Sequence, residues 1–134
     1  MFIKGFCDFY LNSMYIQNLD EVYVLKELVS NALSKKGFKV LEDAVICGDS
    51  GINHKFDLVA VRGDKKIVID FASPREDINL SFTSIVSKAV DLKGYDAFVV
   101  APSAARDNLL FTPRNVKAIF YLKNKDVVKE FSKL

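Results

Sequence analysis

Two aspartates set into neighbouring apolar runs are the residues of this chain best placed to do chemistry. They lie in KFDLVAVRGDKKIVIDFAS, from Lys55 to Ser73, with Asp57 near the start of one run and Asp70 near the end of the next. If the runs are the two strands of an antiparallel hairpin turning at Gly63-Asp64, both aspartates fall at the same end of it. Two carboxylates that close repel unless something positive sits between them. A hard divalent cation such as Mg²⁺ or Mn²⁺, which takes oxygen ligands, answers that need. Such an ion activates a water and steadies a leaving phosphate oxygen. The same residues also suit a plainer arrangement, with Asp57 capping the preceding loop and Asp70 in an ordinary surface ion pair. Spacing alone leaves both open.

Other residues near the pair carry weaker signals. His54 is the chain's one histidine, three residues before Asp57, in the glycine-containing loop Gly48 to His54 (GDSGINH). It could touch a scissile phosphate or a metal-bound water, or serve as a hydrogen-bonded structural residue. Gly48 and Gly51 allow a loop backbone to approach a phosphate and equally suit a tight turn. Cys47, His54 and Asp57 fall short of a four-ligand zinc set. Cys7 and Cys47 form no CxxC pair and read as buried thiols of a reducing compartment.

The elements that must position these residues follow from periodicity. From Leu19 to Lys36, Val22, Leu25, Leu28, Val29, Ala32 and Leu33 keep helical spacing, and Gly37 ends the helix. FKVLEDAVI is a first strand, and FDLVAVR and KKIVIDFA are the hairpin strands. Alternation puts Lys66, Val68, Asp70 and Ala72 on one face and Ile67, Ile69 and Phe71 on the other, so Asp70 is expected to look outward while the Ile-Ile-Phe row faces the core. Pro74 breaks the chain. Phe82, Ile85, Val86, Ala89 and Leu92 then restore helical spacing from Leu80 to Lys93, up to Gly94. DAFVVA reads as a strand buried on both faces. A short helix from Ala104 to Leu110, a strand VKAIFYL and a last helix from Lys125 to Lys133 complete an α/β order with a mixed sheet: an antiparallel meander first, then crossover strands.

At 134 residues the chain reads as one domain, with a core over about residues 19–122. Residues 1–18 form an added segment, either an edge strand or an interface. Half the residues are hydrophobic, yet no apolar run approaches the roughly 18 to 20 residues of a membrane helix. With no signal-peptide pattern either, the expectation is a cytoplasmic protein without a membrane partner. Net charge is +2, from 19 Lys plus Arg against 17 Asp plus Glu, so bulk charge does not mark a nucleic-acid binder. Any such contact must be local, through clusters such as Lys35, Lys36 and Lys39 or Lys117, Lys123 and Lys125, which otherwise form a solvated surface.

The order helix, strand, glycine-containing loop, F-D, about a dozen residues, then an apolar run ending D-x-x resembles the restriction-endonuclease-like PD-(D/E)xK nuclease superfamily. In look it is nearest to archaeal and bacterial restriction-type endonucleases and Holliday-junction resolvases, over about residues 19–101. The resemblance implies an αβββαβ core, Mg²⁺- or Mn²⁺-dependent hydrolysis of phosphodiesters, and DNA, or else RNA, as substrate. A homodimer is expected, since cutting two strands calls for two sites. Asp57 matches the first motif aspartate and Asp70 the second acidic residue. The motif lysine, which orients the attacking water or steadies charge on phosphorus, falls on Ala72, and alanine does neither. Some relatives supply the lysine from the following helix, where Lys88 shares a flank with Ser81, Ser84 and Asp91. Arg75 is a second cationic candidate, fit to bind phosphate but a poor proton acceptor. The family often adds a first-helix glutamate at the metal; Glu21 is the better match and Glu27 points further away. The implied site is thus Asp57, Asp70, Lys88 and His54, with Glu21 as a further metal ligand. The competing implication is a nuclease fold that no longer cuts and serves as a nucleic-acid- or protein-binding module, with Phe2, Phe6, Phe9 and Tyr10 as an adhesive surface.

Overall fold

The computed structural model describes residues 22–74 and 76–134. A helix over residues 22–35, α1, precedes β1 (Lys39–Cys47), β2 (Asn53–Arg62) and β3 (Lys65–Phe71). There follow α2 (Ile78–Val90), β4 (Tyr95–Pro102), a 3₁₀ turn (Ser103–Asn108), β5 (Lys117–Tyr121) and α3 (Asn124–Phe131). The five strands form one sheet in the order β1-β2-β3-β4-β5. β1 to β3 pair antiparallel, while β3–β4 and β4–β5 pair parallel. This is the α/β architecture read from the pattern, a mixed sheet flanked by helices. Among the described residues no helix is long and apolar enough to cross a membrane.

Local chemistry explains the boundaries. Gly63 stands at φ 60°, a left-handed value suited to glycine at the first position of the two-residue turn between Arg62 and Lys65. α2 starts at Ile78, earlier than the apolar spacing predicts, because the Asp77 side chain caps it by accepting from the Asn79 amide at 2.8 Å. In α3 the Asp126 carboxylate accepts from the Leu122 and Lys123 amides and closes the first turn. The expected helix after Pro102 is a 3₁₀ turn instead, a short connector of the kind that geometry favours.

Both faces of the sheet are covered. Leu58, Ala60, Ile67, Ile69 and Phe71 meet α1 and α3, and Phe56, Val59, Val68 and Ala72 meet α2. The expectation that Asp70 looks outward is therefore corrected: its face of β3, which also carries the buried Val68 and Ala72, lies under α2. The continuous apolar run of β4, buried from Ala97 to Ala101, belongs to a strand covered on two sides. On α1 the buried arc runs through Leu25, Val29, Ala32 and Leu33. Leu28, expected in that stripe, lies past its edge and is exposed.

Candidate functional site

Asp57 marks the point where the β2–β3 ladder opens. Residues two apart on a strand normally share a face, yet Leu58 packs toward α1 and Phe56 toward α2. β1 makes the same switch between Val40 and Ala44, around Asp43, whose φ of 48° is an uncommon left-handed value for a residue with a side chain. Leu58↔Ile69 is the last paired position of β2 and β3 on this side. Beyond it the two carboxylates take over the ladder's work. The Asp57 amide donates to Asp70 Oδ1 at 2.9 Å, and the Phe71 amide donates to Asp57 Oδ2 at 2.7 Å. Each aspartate thus has one oxygen fixed by the opposite strand and one left over.

A lysine meets each remaining oxygen, from opposite faces of the sheet. Lys88, on α2, lies 2.6 Å from Asp70 Oδ2. Its ammonium also donates to the Lys55 carbonyl at 2.6 Å and stands 4.4 Å from the centre of the Phe56 ring. Lys26, on α1, lies 3.4 Å from Asp57 Oδ1. Burial pushes the Asp70 carboxyl above its ordinary range, opposed by the hydrogen bonds from Lys88 and the Asp57 amide. The pair opens on a depression of about 270 Å³, lined by both aspartates, Ala72, Ser81, Ser84 and Lys88 among others.

The structure therefore brings Asp57, Asp70 and Lys88 together. The open alternative for Asp70, a surface ion pair, is half met: the ion pair is there, but partly buried, and its partner reaches across from α2. Ala72, on the same face as Asp70, is buried within the α2-side core. Glu21, Arg75 and the aromatic residues of the first segment lie outside the described residues.

His54 belongs to a different cluster. The loop was expected to extend through His54, but β2 begins at Asn53 and His54 pairs with Ile46 in the ladder. Its Nε2 lies 2.7 Å from Asp91 Oδ2. The same carboxylate accepts from the Ser50 amide at 2.8 Å and the Ser50 hydroxyl at 2.6 Å, and the Asp91 carbonyl accepts from the Asp49 amide at 2.8 Å. Gly48 packs so closely beneath Asp91 that a Cβ there would overlap its carboxylate. The glycine-containing loop thus clamps the C-terminal end of α2, one turn beyond Lys88. The Ser50 and His54 hydrogen bonds hold the Asp91 carboxyl below its ordinary range.

Sequence reasoning passed over two of these residues. Lys26 sits at the edge of the α1 apolar arc, beside Val22 and Leu33, and an interrupting lysine there was the signal available. Asp91 stands out in the sequence only as a face-mate of Lys88.

Two oxygen donors suit a Mg²⁺-like ion, which commonly takes one or two protein carboxylates and fills its remaining positions with water and phosphate. Asp57 and Asp70 both line the depression, and Asp57 Oδ1 and Asp70 Oδ2, the oxygens not fixed by the opposite strand, are each matched by a cation. Among the described residues no group of three or more His, Cys, Asp or Glu side chains gathers as a metal site, and Cys47, expected as a buried thiol, is corrected to a free, exposed one.

No protein-family model matches the chain, and no curated protein matches it. A solved structure of a protein of unknown function, AF1548, is similar over 78% of this chain and 51% of that one, at 13% identity and a TM-score of 0.46. The chain thus spans about half the length of that protein.

Proposed function

We propose that this chain is a restriction-endonuclease-like nuclease domain that hydrolyses DNA phosphodiesters with Mg²⁺ or Mn²⁺, its motif lysine moved from the strand to α2. One observation carries the reading: Lys88 comes from another element to Asp70, on the face where Ala72 stands in the lysine's place. Asp57 and Asp70 would hold the ion, which when bound would supply a more acidic water and charge for the leaving oxygen. Lys88 orients the water and steadies charge on the phosphate as the water oxygen bonds to phosphorus and the ester P–O bond breaks; the water gives up one proton to solvent and the departing oxygen takes one up from it. His54 acts at a distance, holding Asp91 and so the end of α2. A homodimer supplies the second site that cutting a duplex calls for.

A second reading, a fold that binds without cutting, is favoured by the two lysines that already neutralise the carboxylates. Calorimetric titration with Mn²⁺ and a plasmid-nicking assay separate the two. Metal binding and nicking in the wild type, both lost in Asp70→Asn, support the nuclease. Metal-independent DNA binding without nicking supports the second reading as a nucleic-acid binder, and absence of metal and DNA binding overturns the nuclease and leaves a protein-binding module.

A further inference from the structure

Lys26 is the second cation of the carboxylate pair, and its situation differs from that of Lys88. Lys88 is held three ways, by Asp70, the Lys55 carbonyl and the Phe56 ring. Lys26 stands 3.4 Å from Asp57 Oδ1, longer than the usual N–H···O hydrogen bond, and its side chain retains 22% exposure. It is held by charge and retains donors for another acceptor. It also arrives from the α1 face, so the pair lies between two ammoniums.

The charges at this point sum simply. Two carboxylates and two ammoniums are neutral together. Adding a divalent ion brings the site to a formal +2, which favours an anion beside it, and a phosphodiester carries one negative charge. The ion competes with Lys26 for Asp57, since that lysine has the looser hold, and it is repelled by the ammonium's like charge. We propose that Lys26 is the substrate-phosphate-binding cation of this site: the metal takes its place on Asp57, and its ammonium then binds a phosphate of the DNA backbone. This inference rests on the nuclease reading and deepens it. Metal and DNA then bind with positive coupling, each raising the affinity for the other by the same factor.

The test uses the full chain and two equilibrium readouts independent of cleavage: Mn²⁺ affinity by calorimetry without DNA, and DNA affinity by fluorescence anisotropy in Ca²⁺ across a salt series. In Lys26→Met, Mn²⁺ binds on the order of tenfold tighter, because a like charge is gone from beside the ion. DNA binds more weakly, and its salt slope falls by about one, the value of a single lost phosphate contact. Lys26→Arg keeps the wild-type slope, and the exposed α1 substitution Lys35→Ala leaves metal affinity unchanged. If Lys26→Met does not fold, Lys26→Gln takes its place: a salt slope lower by about one supports the inference and an unchanged slope overturns it. A wild type that binds Mn²⁺ and DNA, with Lys26→Met unchanged in both, overturns the role of Lys26 and leaves the nuclease reading standing. A wild type that binds no metal overturns the nuclease reading and this inference with it.

Discussion

Lys88 Nζ and Asp70 Oδ2 lie 2.6 Å apart, joined across the interface between α2 and the sheet, while the position two residues beyond Asp70, just past the end of β3, is occupied by the buried Ala72. The cation expected on the strand is thus present at the carboxylate but carried by a helix.

Moving the lysine back tests that substitution of one position for another. On the nuclease reading, Lys88→Ala lowers Mg²⁺-dependent nicking about 100- to 1,000-fold, the usual range for removing one preorganised charge-stabilising donor. Adding Ala72→Lys to that variant returns a cation to the Asp70 face and recovers part of the rate. Nicking rates for the single and double variants, with thermal melts to show that both remain folded, check the expectation. A double variant that is folded and fully inert counts against it.

The burial that raises the Asp70 carboxyl gives a signed pH dependence. The folded chain binds the Asp70 proton more tightly than the unfolded one, so this group's contribution to stability is fullest below the ordinary value of 3.8 and declines as pH rises through the raised folded value. Asn at position 70 keeps an oxygen for the Asp57 amide and does not titrate. Asp70→Asn should therefore gain stability relative to the wild type as pH rises above about 4, read by urea unfolding across the acid-to-neutral range. A difference that shrinks with pH would mean that Lys88 outweighs burial.

Asp91 has the opposite sign. Its carboxyl is held low by Ser50 and His54, so the stabilisation is present above the ordinary carboxylate value and is lost as pH falls through the lowered one. Asp91→Asn should flatten the acid limb of the stability curve, and hydrogen exchange of the Asp49 and Ser50 amides should rise in that variant.

Gly48→Ala forces a methyl group into the Asp91 carboxylate and should cost about 1 to 3 kcal/mol, as overpacking does. Because the clamp lies one turn past Lys88, on the nuclease reading nicking falls with it. Denaturant unfolding beside the rate measurement separates the two losses.

Ile69→Ala should cost about 2 to 5 kcal/mol in denaturant unfolding, since Ile69 is fully buried among Leu58, Phe71 and Phe98. A loss of about half a kcal/mol or less, the scale of a surface substitution, would contradict that packing.

Periodicity was enough to specify the order of elements, the hairpin at Gly63-Asp64 and the apolar rows of β3, because alternation and helical spacing are local properties of the chain. It also placed Asp57 and Asp70 at one end of that hairpin. Three matters needed the tertiary structure. Whether the Asp70 face is open depends on α2, the crossover from β3 to β4, which packs back over that face, so local alternation read a covered face as an outward one. The pairing of Lys88 with Asp70 depends on the depth and rotation of that helix against the sheet; Ser81, Ser84 and Lys88 sharing a flank says nothing of what the flank meets. Lys26 reaches Asp57, and His54 leaves it for Asp91, because the sheet switches faces at Asp43 and Asp57. That switch arises where two side chains replace ladder bonds between strands, a contact between distant residues that no spacing within either strand encodes.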